Sequence, residues 1–87
     1  MERRVIVGSS VGLHARPAAI FVKAATAQPV GVTIGKDGAE PVDARSLLSV
    51  MGLGVRGGDE IVLSADGPGA GEALEALAVV VETDHDA

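Results

Sequence analysis

The 87-residue chain contains no cysteine. That one absence excludes disulfide staples, thiol nucleophiles and thiolate metal sites together. Aromatic residues are almost as scarce: tryptophan and tyrosine are missing, and Phe21 is the single phenylalanine. A core must therefore be built from Ala, Val, Leu and Ile, whose smaller side chains bury less area and leave a thin stability margin. Basic residues are outnumbered, 7 against 12 acidic, for a formal net charge of −5. No basic stripe interleaved with aromatics is present, so no nucleic-acid partner is expected. Long hydrophobic runs are missing too. Val5-Ile6-Val7 is far too short for a signal-peptide core or a membrane span. The expectation is a soluble, cytoplasmic protein without membrane insertion. The two histidines stand at opposite ends of the chain, and with no thiol beside them neither a metal nor another cofactor is expected.

What is present is enough apolar residue for one small domain, expected over 1–87 with a polar C-terminal tail at 82–87. Val5 to Val7 reads as a first strand ended by Gly8-Ser9-Ser10, and Ser9 to Leu13 as a loop. Pro17 belongs in the first turn of a helix, where its missing N–H costs nothing. Ala18, Phe21, Val22 and Ala25 follow on one helical face, and the helix should fail by Gln28-Pro29. Val30, Val32 and Ile34 alternate with smaller residues as in a half-buried strand, and Asp37-Gly38 signals a tight turn. Val42 lies on the returning strand, which Pro41 marks as an edge. Ser46 can cap a short helix through Leu47, Leu48, Val50 and Met51. Glu60 to Ala65 is the clearest strand, and Ala70 to Val81 a last amphipathic helix. The order βαββαβα, with hairpin connections and one-sided alternation, predicts an α+β fold: a mainly antiparallel sheet with helices on one face.

Chemistry concentrates in Gly12-Leu13-His14-Ala15-Arg16-Pro17-Ala18. His14 stands at the mouth of the first helix. The first amides of a helix have no intrahelical acceptors, and with the aligned peptide dipoles they make an anion site. An imidazole at such a site can act as a nucleophile. Arg16 adds a guanidinium able to fork two phosphate oxygens. Pro17 has no N–H, so the cradle Ala15-Arg16-Pro17 can contribute only two backbone donors. Such a helix end holds an anion by about 0.3–1 kcal/mol when exposed and up to about 2 when partly buried. That suits a transient phosphohistidine better than a tight phosphate ligand. A histidine before a helix is also an ordinary N-terminal cap or a solvated loop residue, and from the residues alone both readings stay open.

The heptapeptide resembles the active-site signature of the HPr family, the histidine-containing phosphocarriers of the bacterial sugar phosphotransferase system. The likeness continues in family order through Arg45-Ser46-Leu47-Leu48, Val50-Met51-Gly52-Leu53-Gly54, Gly58-Asp59-Glu60-Ile61-Val62-Leu63 and the Ala73-Leu74-Glu75-Ala76-Leu77 helix. The resemblance implies an open-faced β-sandwich with a four-stranded antiparallel sheet and three helices on one face. It also implies a mechanism. Phosphorylated enzyme I, charged from phosphoenolpyruvate, passes its phosphoryl group to Nδ1 of His14, and the carrier gives it to IIA domains of sugar permeases. Arg16 matches the motif arginine and would steady the phosphoryl charge. A monomer is expected.

Ser46 matches the serine that an HPr kinase/phosphorylase modifies in many Gram-positive members; as a residue it is also simply a helix cap. Leu47, Leu48 and Met51 are too many apolar side chains for so short a helix to bury, so some should form a docking patch for partners. Arg45 and Arg56 could add positive charge beside it, or simply be solvated. His85, in the polar tail, reads as a terminal residue rather than a second site. Gly52 stands where a serine is common in the family. Two alternatives remain: a related carrier in a nitrogen-branch or regulatory phosphorelay, and a noncatalytic regulatory module that docks through Leu47, Leu48 and Met51, against which His14 argues. A stand-alone enzyme is not expected, because His14 has no second acid or base, no metal set and no phosphate-loop motif near it.

Overall fold

The computed structural model describes residues 1–84, so His85 lies outside the described residues. The elements run β1 (Glu2–Ile6), α1 (Ala15–Thr26), β2 (Thr33–Lys36), β3 (Val42–Asp43), α2 (Leu47–Gly52), β4 (Glu60–Ser64) and α3 (Ala70–Glu82). The four strands form one sheet in the order β1-β4-β2-β3, and each neighbouring pair is antiparallel. The expected α+β architecture and element order are therefore present.

Register follows from burial. Val5 pairs with Ile61, and Ile34 with Leu63, so all four apolar side chains point to the helical side. Glu2, Arg4 and Ile6 of β1 alternate onto the open side of the sheet and are exposed. Helix α3 lies on β1 and β4, α1 packs beside α3, and α2 bridges α1 to β3. The two long helices meet the core mainly through small residues: Ala18 and Ala25 on α1, Ala70, Ala73 and Ala78 on α3. Short side chains let the backbones approach closely, and Phe21, Leu77 and Ile34, all fully buried, fill the space between the layers.

Several boundaries differ from the sequence expectation. Strand β1 begins at Glu2 rather than Val5, and pairing with β4 reaches back to Glu2 opposite Ser64. The charged run Glu2-Arg3-Arg4 hides this, because Arg3 turns inward only far enough to pair with Glu75 of α3 while Glu2 and Arg4 face solvent. Strand β2 starts at Thr33; Val32 is buried just before it and its carbonyl accepts the Ala44 N–H at 3.0 Å, while Val30 lies outside the sheet. Strand β4 stops at Ser64, one residue short of Ala65. Finally, Glu82, assigned above to the polar tail, is the last residue of α3. Thr83 ends that helix, its Oγ donating to the Val79 carbonyl at 2.7 Å.

With a single aromatic at its centre, the core depends heavily on one side chain. Phe21→Ala is expected to lower unfolding stability by about 3–5 kcal/mol. Urea denaturation followed by circular dichroism measures this. An unchanged midpoint would contradict the packing described.

Candidate functional site

The segment from Gly8 to Leu13 is held by backbone contacts before it reaches His14. The Gly8 N–H donates to the Val81 carbonyl at 3.0 Å, and a β-carbon on Gly8 would come within 1.9 Å of the Glu82 carbonyl oxygen. Gly12 has φ of 71°, and a β-carbon there would stand 2.1 Å from the Val55 carbonyl oxygen. Only glycine fits, for both reasons. The next residue, Leu13, is buried and donates its N–H to that same Val55 carbonyl at 3.2 Å. A β-carbon on Gly57 would stand 2.5 Å from the Ser9 carbonyl oxygen. Two loops are thus pressed backbone to backbone, and His14 is the first residue beyond the clamp.

His14 occupies the N-cap position of α1 with extended backbone, φ −136° and ψ 150°. Its side chain makes no capping hydrogen bond and is exposed. The ordinary capping reading therefore does not account for this histidine. Its imidazole has no hydrogen-bond partner among the described residues, so both ring nitrogens face solvent or an incoming group. Ala15 follows with φ of 50°, the one non-glycine residue with positive φ among those described. A left-handed alanine costs roughly 1–2 kcal/mol, and it persists because its neighbours are fixed: Leu13 on one side, buried Pro17 and Ala18 on the other.

The first turn of α1 carries no acidic residue, so nothing competes with an anion there. The amides of Ala15 and Arg16 lie where a helix leaves its N–H groups without intrahelical acceptors. Arg16 is exposed, and its guanidinium has no ion-pair partner among the described residues. Three other cations are paired: Arg3 with Glu75, Arg4 with Glu60 and Lys36 with Asp59. The arrangement offers an unpartnered imidazole, an unpaired guanidinium and a small exposed cradle. Two concavities among the described residues, of about 180 and 200 Å³, lie around Lys36 and Asp37, and neither is lined by residues 12–18.

Helix α2 packs against α1. Ser46 caps it: its Oγ accepts the Ser49 N–H at 3.2 Å and lies 3.0 Å from the Ser49 hydroxyl. Of the three apolar residues singled out, Leu48 is 85% exposed and Leu47 is 42% exposed, whereas Met51 is half-buried against the core. The helix secures itself through Val50, fully buried. The Arg45 and Arg56 side chains are exposed and without partners among the described residues, and the Arg56 backbone lies beside Gly12. Val11, exposed next to the clamp, adds an apolar side chain that periodicity did not single out. The Gly12–Val55 contact was also missed; its only sequence signal is a glycine two residues before the histidine.

Comparison with known proteins agrees with this geometry. A family model described as the PTS HPr component phosphorylation site matches residues 1–83. Phosphocarrier protein HPr of Streptomyces coelicolor is 61% identical over 80 residues, covering 92% of this chain and 86% of the relative. The HPr-like protein Crh of Bacillus subtilis is 42% identical over 82 residues, covering 94% and 95%. The crystal structure of a phosphocarrier protein HPr from Bacillus anthracis superposes with a TM-score of 0.87 at 42% identity, covering 93% of this chain and 95% of that one. Fold, sequence relatives and a family match across nearly the whole length converge on one conclusion: the chain belongs to the HPr family of the phosphotransferase system.

Proposed function

We propose that this chain is a phosphocarrier that accepts a phosphoryl group on His14 from phospho-enzyme I and hands it to IIA domains of sugar permeases. The observation that carries this reading is the unpartnered, exposed imidazole of His14 at the N-cap of α1. In the first transfer the Nδ1 lone pair forms a bond to phosphorus as the bond to the donor breaks. In the second the nitrogen is the leaving group. Arg16 and the amides of Ala15 and Arg16 steady the phosphoryl oxygens, while Pro17 supplies no donor and fixes the helix start. An exposed cradle of this kind holds phosphate weakly enough to release it.

Leu47 and Leu48 form the apolar contact for partners, with Met51 at its half-buried edge and Arg16, Arg45 and Arg56 placing positive charge around it. One surface then serves donor and acceptors in turn, which fits a single-domain monomer working in the cytoplasm. No helix among the described residues is long and apolar enough to cross a membrane. Ser46 is the candidate for regulatory phosphorylation by an HPr kinase/phosphorylase. It is half-buried and its hydroxyl is occupied in the α2 cap, so modification would replace the Ser49 contact. The likeness to Crh favours a second reading, a regulatory docking protein, and His14 labelling separates the two.

Incubation with phosphoenolpyruvate and enzyme I is expected to add one acid-labile, base-stable phosphate, absent in His14→Ala. Equal labelling of His14→Ala would contradict the proposal. Arg16→Ala should keep the fold and slow transfer about tenfold or more, the worth of a charged hydrogen bond. An unchanged rate in rapid-quench assays would remove Arg16 from the mechanism.

A further inference from the structure

Lys36, at the end of β2, and Asp59, just before β4, have no part in the chemistry described so far. Both grip the loop that runs from α2 to β4. Lys36 Nζ donates to the Gly54 carbonyl at 3.1 Å and stands 3.7 Å from Asp59 Oδ2. That same Oδ2 accepts the Arg56 N–H at 2.9 Å. The two grips bracket Val55, whose side chain is buried and whose carbonyl receives the Leu13 N–H. Asp59 is itself tied to the sheet, because its carbonyl accepts the Val7 N–H at 2.9 Å. The Lys36 and Asp59 side chains are 28% and 37% exposed, against 41% to 61% for the Arg3–Glu75 and Arg4–Glu60 pairs. Their shielding makes them the better candidates for a structural constraint.

We propose that Lys36 and Asp59 are positioning residues for phosphoryl transfer, setting the loop shape in which the Val55 carbonyl fixes Leu13 and so where His14 is presented. The inference rests on His14 being the acceptor. Three glycines, Gly54, Gly57 and Gly58, leave this loop with little conformational preference of its own. Without the Asp59 carboxylate, the Arg56 amide loses its acceptor and Lys36 its counter-charge. The Val55 carbonyl then samples several positions, Leu13 follows it, and His14 spends less time in line with the incoming phosphorus. The exposed leucines of α2 lie outside the loop, so the apolar docking contact is spared, while Arg56 lies inside it and partner binding weakens to a smaller extent than transfer.

The test combines steady-state transfer from phospho-enzyme I, with this chain as the varied substrate, and amide hydrogen exchange by NMR. Asp59→Ala is expected to lower kcat about tenfold with a distinctly smaller change in KM, and to speed exchange at Leu13 about tenfold while Leu63 and Leu77 keep their parent rates. Asp59→Asn retains an oxygen for the Arg56 amide and should recover most of the rate, with Lys36→Met falling between. Parent kcat in Asp59→Ala, a change confined to KM, or equal acceleration at Leu13, Leu63 and Leu77 would overturn the positioning role. If the parent takes no phosphate on His14, the phosphocarrier function itself falls, and this inference with it. If the parent labels normally and the variants match it, only the inference falls.

Discussion

The contact between Gly12 and the Val55 carbonyl is the constraint on which the rest of the site depends. It brings two loops from distant parts of the chain closer than any side chain would allow, and it ends in a hydrogen bond to Leu13. With Leu13 buried and Pro17 and Ala18 packed into the helix start, the three residues between have little freedom. His14 is left exposed and Ala15 is left in a left-handed conformation. The fold's stabilising interactions lie on either side of His14, and among the described residues nothing is bonded to the imidazole itself.

That arrangement suits a carrier more than an enzyme with a small-molecule substrate. A pocket would shield the phosphoryl group and bind it tightly, whereas an exposed helix end can meet donors and acceptors of different shape and release what it holds. The unpaired arginines make the same point electrostatically. In a chain of net charge −5, Arg16, Arg45 and Arg56 are without side-chain partners among the described residues, while Arg3 and Arg4 on β1 are paired. Leu48 of α2 is almost wholly exposed. Under the proposed function, specificity for partners would belong to α2 and its surroundings, and reactivity to the α1 terminus.

Much of this was legible in the sequence because local signals agree with the fold. Pro17 marks the first turn of α1, Ser46 does cap α2, and Pro41 does precede an edge strand. The alternation of Ile61 and Leu63 and the spacing of Ala73, Leu74 and Leu77 pointed to the buried faces that are found. What escaped was long-range or backbone in nature. The Gly12–Val55 approach has no periodicity to betray it, and the positive φ of Ala15 is imposed by its neighbours rather than by alanine. Strand β1 was shortened in the reading because three charged residues look like a loop until Glu75 is placed opposite Arg3. Lys36 and Asp59 look like solvated turn residues until the loop they hold is seen.

The central claim is that the phosphoryl group travels on one nitrogen of His14. Phosphorus–nitrogen coupling in the NMR spectrum of the nitrogen-15-labelled, phosphorylated chain tests it most directly. The account predicts a coupled signal at Nδ1 of His14, with the other imidazole and the serine hydroxyls unmodified. A phosphate found instead on His85, on Ser46 or on Nε2 of His14 would contradict it.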